Sequence, residues 1–270
     1  MAEPTARENE RTLVTYEVRD GVAYLTLSDP PANTYTHEMM RQLDDAILAS
    51  RFDNDVHVIV LSGLGEKFFC AGANIKMLQE SDPTFKYYFC LHANETLNRL
   101  EQTPKLVIAA LNGHTVGGGL EIAMAADLRI ARKDAGKVGL PEINLGVLPG
   151  TGGTQRLSRM IGKSRAIEIM VTGELMTFED AKDLGIVNQI FAGDDFMDQI
   201  HAYARQFCLP DKAARAAGRI KRAVQSGWEV PFESGLAIER ELQQLLFSSQ
   251  DAKEGLSAYV EKRKPRFEGK

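Results

Sequence analysis

The sequence predicts an α/β fold with largely parallel strands, because strand-like and helix-like segments alternate along most of the chain. The apolar runs Val56–Leu61 and Lys105–Leu111 are typical of strands that are buried on both faces. A helical pattern follows each run, as expected for crossovers between parallel strands. From Asp194 onward one helical pattern succeeds another. We therefore expect a strand-rich core over residues 1–193 and a helical section over residues 194–270.

Segments on either side of the two runs support this architecture. Val22–Leu27 indicates another strand, which ends before Pro30 and Pro31. Thr36 is suited to cap the helix that follows. Three apolar residues share one face of that helix: Met39, Leu43 and Ile47. In the helical section, one helix carries Leu236, Arg240, Gln243, Leu246 and Phe247.

Composition excludes several classes of protein. The net charge of −5 gives no global attraction to nucleic acid or to an anionic membrane. The three cysteines, Cys70, Cys90 and Cys208, are too few and too scattered for a disulfide framework or a zinc site. The polar N-terminus has no apolar segment typical of a secretory signal, and no apolar run approaches the length of a membrane span. We expect a cytoplasmic protein with reduced thiols.

The first small-residue turn, AGANIK at residues 71–76, follows a predicted strand. Gly72 permits unusual dihedral angles, and the small neighbouring side chains let a ligand approach the backbone closely. The turn therefore offers backbone N–H groups to a ligand oxygen. A tight turn packed against a helix explains the same residues, so this segment alone does not decide between the two interpretations.

The second turn, NGHTVGGGLE at residues 112–121, joins a buried strand to a helix. Three consecutive glycines are costly in conformational entropy, which indicates that a ligand or another helix approaches the backbone very closely. The segment is neither GxGxxG nor a phosphate-binding P-loop. Free N–H groups at the helix start would stabilise a developing oxyanion. Glu121, in the first helical turn, either interacts with the helix dipole or is held as a working carboxylate.

The third segment, GLPEINLGVLPGTGGTQRL at residues 139–157, contains a second candidate carboxylate. Pro141 restricts the backbone just before Glu142, which helps to hold that side chain in place. A solvated glutamate is the plainer interpretation of Glu142 alone. Gly150-Thr151-Gly152-Gly153 is a further segment of close approach that leads into a helix. The three segments together are far more specific than any one of them.

In this order and spacing, the three segments resemble the crotonase (enoyl-CoA hydratase/isomerase) family. The resemblance extends from about Val14 to YVEKRKPRF at residues 259–267, which is similar to the family's C-terminal signature. It implies a crotonase-type spiral of ββα units with a helical C-terminal trimerisation region. It also implies a homotrimer, or a hexamer that is a dimer of trimers.

The resemblance implies an acyl-CoA substrate and no separate cofactor, because coenzyme A is part of the substrate. The backbone N–H groups of Ala73 and Gly118 would form an oxyanion hole for the thioester oxygen, and Glu121 and Glu142 would be the catalytic pair. The implied substrate and CoA contacts are Ala71, Ala73, Asn74, Ile75, Lys76, Gly118 and Lys262. Lys262, often supplied by a neighbouring subunit in the family, is equally explained as a solvated charge on a basic tail.

The implied reaction is the reversible hydration of a 2-enoyl-CoA to a 3-hydroxyacyl-CoA, in fatty-acid or branched-chain and organic-acid catabolism. Glu121 would activate water, while Glu142 would share that water and supply the α-proton. The presence of both glutamates favours a hydratase, a carbon–oxygen lyase, over a Δ3,Δ2-enoyl-CoA isomerase, which usually keeps only the second. A hydratase for a branched or cyclic enoyl-CoA stays open. A pseudoenzyme does not fit two retained glutamates.

Two departures from the family's pattern concern the acyl pocket and the CoA contacts. Asn74 replaces the usual aspartate, and residues 30–35 differ from the commoner sequence. Tyr35, Met77 and a helix over residues 82–89 are expected to shape the acyl pocket. A remote alternative, RNA binding, would use a modest basic patch without interleaved aromatic residues, so nucleic acid is not expected as a partner. That patch consists of Lys212, Arg215, Arg219, Lys221 and Arg222.

Overall fold

The computed structural model describes residues 11–193 and 195–270. The first ten residues and Asp194, where the helical section is expected to begin, lie outside the described part. The strands are β1 (Val14–Arg19), β2 (Val22–Leu27), β3 (Val58–Gly63), β4 (Phe68–Cys70), β5 (Leu106–Leu111), β6 (His114–Val116), β7 (Leu128–Arg132), β8 (Lys137–Gly139), β9 (Met176–Thr177) and β10 (Gln189–Phe191).

Helices follow most pairs of strands. They are α1 (His37–Phe52), α2 (Ile75–Glu80), α3 (Pro83–Gln102), α4 (Gly118–Met124), α5 (Gly153–Ile161), α6 (Lys163–Thr172), α7 (Phe178–Asp183), α8 (Phe196–Arg205), α9 (Ala214–Trp228), α10 (Phe232–Phe247) and α11 (Gln250–Glu261). A short 3-10 helix spans Glu142–Leu145.

The strands form two sheets. The larger has the order β1-β2-β3-β5-β7-β10, and the smaller has the order β4-β6-β8-β9. Within the described residues, every pairing is parallel except the β1–β2 hairpin and the β8–β9 pair. From β3 to β8, successive strands alternate between the two sheets. Each successive pair, β3 and β4, β5 and β6, and β7 and β8, is followed by one or more helices. This repeated ββα unit confirms the predicted spiral fold.

Strand β3 is buried on both faces, as its apolar sequence predicts. Ile59 and Leu61 belong to the main core, while Val58 and Val60 point to the opposite face and pack with Ile200 of α8. The two-residue period of a strand places alternate side chains in the two clusters. The central sheet is therefore covered by helices on both sides.

The predicted first helix is confirmed. The Thr36 side chain accepts the N–H of Met39 at 3.2 Å, as an N-cap does, and the apolar face of α1 is buried in the core. The predicted bounds of β3 were wrong by two residues. Pairing with β2 runs from Val58 to Gly63, and the Gly63 N–H donates to Asn112 Oδ1 at 3.0 Å. Contacts from distant parts of the chain thus set where this strand begins and ends.

Four helices, α8 to α11, follow β10 within the described residues. Division of the chain into a core and an appended section stays a prediction. Helix α9 is attached to the core by a buried ion pair, in which Lys221 Nζ lies 2.8 Å from Asp127 Oδ2. The Lys221 side chain is only 5% exposed, so it does not belong to the predicted surface basic patch. No helix within the described ranges is long and apolar enough to cross a membrane.

Candidate active site

A cavity of about 640 Å³ lies between helices α2 and α3, the start of α4 and the segment that follows the 3-10 helix. Most of its walls are apolar, as is usual for a small-molecule site. Its lining residues include Tyr35, Ala71, Ala73, Ile75, Leu78, Gln79, Lys86, Phe89, Cys90, Gly118, Glu121, Glu142, Leu145, Val147, Leu148 and Thr151. The three motifs of the sequence therefore meet at one place.

Ala73 of the first turn and Gly118 of the second turn both line this cavity. Tyr35 bridges the first turn, because its N–H donates to the Gly72 carbonyl at 3.0 Å and its carbonyl accepts the Asn74 N–H at 2.9 Å. These two bonds are made by Gly72 and Asn74, the residues on either side of Ala73. In such a parallel pairing the N–H of the residue between them, Ala73, points away from Tyr35. Gly72 has φ +91°, and a Cβ added to it would lie 3.2 Å from the Gly118 nitrogen. Both turns thus approach each other closely.

The three consecutive glycines have separate structural causes. Gly117 has φ +58°, in the left-handed region. A Cβ on Gly118 would lie 2.3 Å from the Tyr35 hydroxyl, and one on Gly119 would lie 2.0 Å from the Cys70 carbonyl oxygen. The sequence left open whether a ligand or another helix approaches the backbone here. The protein groups that approach it are instead the Tyr35 side chain and the backbone of strand β4, and approach by a ligand stays a prediction. Gly119 permits contact with neighbouring protein backbone, whereas Gly118 lines the cavity.

Glu121 is held by the third segment. Its Oε1 accepts the backbone N–H groups of Thr151 and Gly153, both at 2.7 Å, and the residue is only 2% exposed. A Cβ on Gly153 would lie 2.9 Å from the same oxygen, which explains the glycine. The carboxylate therefore sits at the N-terminus of α5, where the helix dipole favours negative charge.

Burial nevertheless raises the pKa of Glu121 to about 7. The two N–H donors lower this pKa and the nearby Glu142 raises it, but loss of hydration has the largest effect. A carboxyl group with a pKa near neutrality exchanges protons readily at physiological pH. Glu121 thus has the properties of a general base.

Glu142 begins the 3-10 helix immediately after Pro141. It is half-buried, and burial also raises its pKa. Its Oε2 is buried without a hydrogen-bond partner among the described residues. A Cβ on Gly117 would lie 2.8 Å from the other carboxylate oxygen, Oε1. The second carboxylate is therefore packed against the glycine-rich turn, with one oxygen able to bond a substrate or water.

Several predicted contacts do not line the cavity. Asn74 instead caps α2, since its Oδ1 accepts the Met77 N–H at 3.0 Å. Asparagine and aspartate cap helices equally well, which accounts for the replacement of the usual aspartate. Lys76 is exposed and lies 4.0 Å from Glu80, and Lys262 is exposed at the end of α11. The CoA-binding functions of these residues stay predictions.

The acyl side of the cavity was the part that sequence reasoning described least well. Tyr35 lines the cavity as expected, and its hydroxyl lies 3.1 Å from Thr151 Oγ1. Met77, expected to shape the acyl pocket, packs against the core and is not among the residues that line the cavity, so its influence on the pocket stays a prediction. Lys86 and Gln79, which do line it, were not identified. Neither residue lies within a motif, so only the helical spacing from Phe89 could have indicated Lys86.

The spiral of ββα units and the two carboxylates at one apolar cavity define an enzyme of the crotonase class. The family model described as enoyl-CoA hydratase/isomerase matches residues 17–270, and the chain belongs to this family. The predictions of family and fold are thus confirmed.

Relatives agree with this assignment. The short-chain-enoyl-CoA hydratase of Clostridium acetobutylicum is 35% identical over 252 residues, which cover 93% of this chain and 95% of the relative. The 2,3-dehydroadipyl-CoA hydratase of Escherichia coli is 37% identical over 258 residues, covering 92% and 96%. A solved enoyl-CoA hydratase structure from Geobacillus kaustophilus has a TM-score of 0.94 at 45% identity, covering 97% of this chain and 98% of that one.

Proposed function

We propose that this enzyme hydrates a 2-enoyl-CoA reversibly to a 3-hydroxyacyl-CoA. The observation that carries the proposal is a pair of carboxylates, both with raised pKa, at one apolar cavity. Hydration needs one group that takes a proton from water and another that delivers a proton to carbon. Two carboxylates with different environments meet both requirements.

In the proposed mechanism, the thioester oxygen accepts the N–H groups of Ala73 and Gly118 and becomes an enolate as water attacks the β-carbon. Loss of one such donor typically costs about 3–4 kcal/mol of transition-state stabilisation. Ionised Glu121 takes a proton from the attacking water. Glu142 shares that water and delivers a proton to the α-carbon. One proton then passes between the carboxylates, which returns the pair to its starting state.

The alternative within the family is a Δ3,Δ2-enoyl-CoA isomerase. Glu142 alone could move a proton between two carbons of the substrate. The two backbone bonds to Glu121 argue against this alternative, because an isomerase has no need to hold a second carboxylate in place. The acyl group is open, since relatives of nearly equal identity have names that specify different acyl groups. A branched or cyclic enoyl group remains compatible with the pair.

Loss of the enoyl chromophore of crotonyl-CoA, followed by absorbance, tests the proposal. We expect the wild type to consume the substrate, Glu142→Gln to abolish the reaction and Glu121→Gln to reduce it strongly. Glu179→Gln is a matched control, because Glu179 is exposed on α7 and lies outside the cavity lining. A wild type that leaves every 2-enoyl-CoA untouched but converts a 3-enoyl-CoA would establish the isomerase instead.

We further propose that coenzyme A lies along residues 71–76 and that Lys262 of a neighbouring subunit approaches its phosphates. A homotrimer, or a hexamer of two trimers, would supply that neighbour. Large apolar side chains exposed on the C-terminal helices support such an assembly, among them Ile220, Val224, Leu256, Tyr259 and Val260. Analytical ultracentrifugation tests this proposal, and a monomer at micromolar concentration would contradict it.

Two further parts of the proposal concern cofactor and location. No separate cofactor is required, because the carboxylate pair handles the protons and coenzyme A arrives with the substrate. Three scattered free cysteines fit the reducing environment of the cytoplasm. Activity of the purified, dialysed enzyme in the presence of a chelator tests the first part, and cell fractionation tests the second.

A further inference from the structure

The acyl side of the cavity carries one unexpected charge. Among the described residues that line the cavity, Lys86 of α3 is the only one with a cationic side chain. Its neighbours in the wall are mostly apolar, including Leu78, Phe89 and Leu145. A cavity that binds only hydrocarbon has no use for a cation in its wall, because an unpaired charge weakens the hydrophobic gain of binding.

Lys86 lies about one helical turn from Cys90, which is next to the segment that holds Glu121. Along α3, the Asn94 side chain donates to the Gly150 carbonyl at 3.1 Å, and a Cβ on Gly150 would lie 3.6 Å from Cys90 Sγ. Gly150 immediately precedes Thr151, whose N–H holds Glu121. Lys86 is four residues before Cys90, which places it about 6 Å farther along the helix axis. A substrate group near Lys86 is therefore several carbon atoms beyond the reacting double bond.

Lys86 is also without a carboxylate partner. It is half-buried, yet no ion pair is found for it in the described ranges. Lys105, which is also half-buried, does have partners, since its Nζ donates to the carbonyl oxygens of Ser50 and Asp53. The more deeply buried Lys221 pairs with Asp127. Gln79 of α2, which lines the same cavity, adds a second side chain able to donate a hydrogen bond.

We propose that Lys86 binds a carboxylate at the far end of the acyl chain, so that the preferred substrate is a 2-enoyl-CoA derived from a dicarboxylic acid. This inference rests on the proposed hydratase function and names its substrate class. The ammonium group of Lys86 forms a charge-assisted hydrogen bond to the terminal carboxylate, and Gln79 donates another. Both glutamates of the site repel the same carboxylate, which directs it away from them and toward Lys86.

The phosphates of coenzyme A are another possible anion for Lys86, and substrates distinguish the two. trans-2-Hexenoyl-CoA and the CoA monothioester of trans-2-hexenedioic acid have the same chain length and the same coenzyme. They differ in the terminal methyl or carboxylate group. A contact to the phosphates affects both substrates equally, whereas a contact to the acyl terminus affects only the second.

The experiment measures kcat/KM for both substrates with the wild type, Lys86→Met and Lys182→Met. Methionine keeps the apolar stem and removes the charge, and Lys182 is an exposed lysine on α7 outside the cavity lining. We expect Lys86→Met to lower kcat/KM for the dicarboxylic thioester by about 10- to 100-fold, as for loss of one hydrogen bond to a charged group. Activity on hexenoyl-CoA is retained, which also shows that the variant is folded.

Three results would overturn the inference. Equal losses for both substrates would assign Lys86 to the coenzyme, and no loss for either would make it a surface lysine. A wild type that hydrates hexenoyl-CoA far better than the dicarboxylic thioester would exclude the proposed substrate class. In each of these cases the hydratase function survives. Failure to hydrate any 2-enoyl-CoA would instead contradict the proposed function itself.

Discussion

Replacement of Glu121 by glutamine is expected to stabilise the fold while it removes the base. Burial raises the pKa of this carboxyl group to about 7 from the ordinary value of 4.5. The ionised form is therefore disfavoured in the folded chain by about 3 kcal/mol. Glutamine avoids this cost and still offers a carbonyl oxygen to the N–H groups of Thr151 and Gly153.

The sign of the pH dependence follows from proton binding. Between about pH 4.5 and pH 7 the folded chain holds a proton on Glu121 that the unfolded chain has lost, so this group makes stability fall as pH rises. Below about pH 4.5 Glu121 is protonated in both the folded and the unfolded chain, so it does not make stability depend on pH. The free energy of unfolding of Glu121→Gln should thus exceed that of the wild type by about 1 kcal/mol near pH 5 and by about 3 kcal/mol near pH 8.

Urea unfolding across this pH range measures the difference. Protein concentration must be held constant, because assembly would add to apparent stability. Glu179→Gln serves as the control, since Glu179 is exposed on α7 and lies outside the cavity lining. A difference between wild type and Glu121→Gln that is constant with pH, or that shrinks as pH rises, would refute the reasoning.

Three other predictions follow from the same geometry. The value of kcat/KM for hydration should rise as pH increases through about 7, because Glu121 must be ionised, and a flat profile there would exclude it as the base. Gly117→Ala should lower kcat far more than it raises KM, because the added Cβ would meet Glu142 Oε1 and because residue 117 has a φ of +58°, which alanine rarely adopts. An unchanged kcat would contradict this prediction. Lys221→Met should lower the free energy of unfolding by about 3–5 kcal/mol, as measured by urea unfolding, because it removes the cation paired with the largely buried Asp127, which within the described residues keeps only its hydrogen bonds from Val107 and Gln225. A loss below about 1 kcal/mol would contradict that reason.

Local patterns predicted the fold well and identified the three segments that meet at the cavity. The spacing of apolar residues predicted α1 and its Thr36 cap, because both depend on neighbours in sequence. The glycines of the second turn indicated close approach, and the structure explains the approach by contacts with Tyr35 and Cys70. Such signals are strong because few other residues satisfy the same backbone geometry.

The remaining features depend on residues that are distant in sequence. The bounds of β3 follow from its pairing with β2 and from the bond of Gly63 to Asn112, neither of which is visible in the strand's own sequence. Likewise, the backbone donors that hold Glu121 come from a segment thirty or more residues later. The basic pattern of α9 suggested a surface patch, yet Lys221 turns inward to Asp127. Lys86 lies outside every motif, and although the helix predicted over residues 82–89 contains it, the folded cavity is what shows that it belongs to the lining.

The central claim is that Glu121 and Glu142 act together on one water molecule. The most direct test compares kcat for hydration of crotonyl-CoA by Glu121→Gln, Glu142→Gln and the double variant. Residues that act as a unit show strongly non-additive losses. We predict that the double variant is no slower than the slower of the two single variants. Losses that multiply, so that the double variant is slower by the product of the two single effects, would show that the carboxylates act independently and would contradict the mechanism.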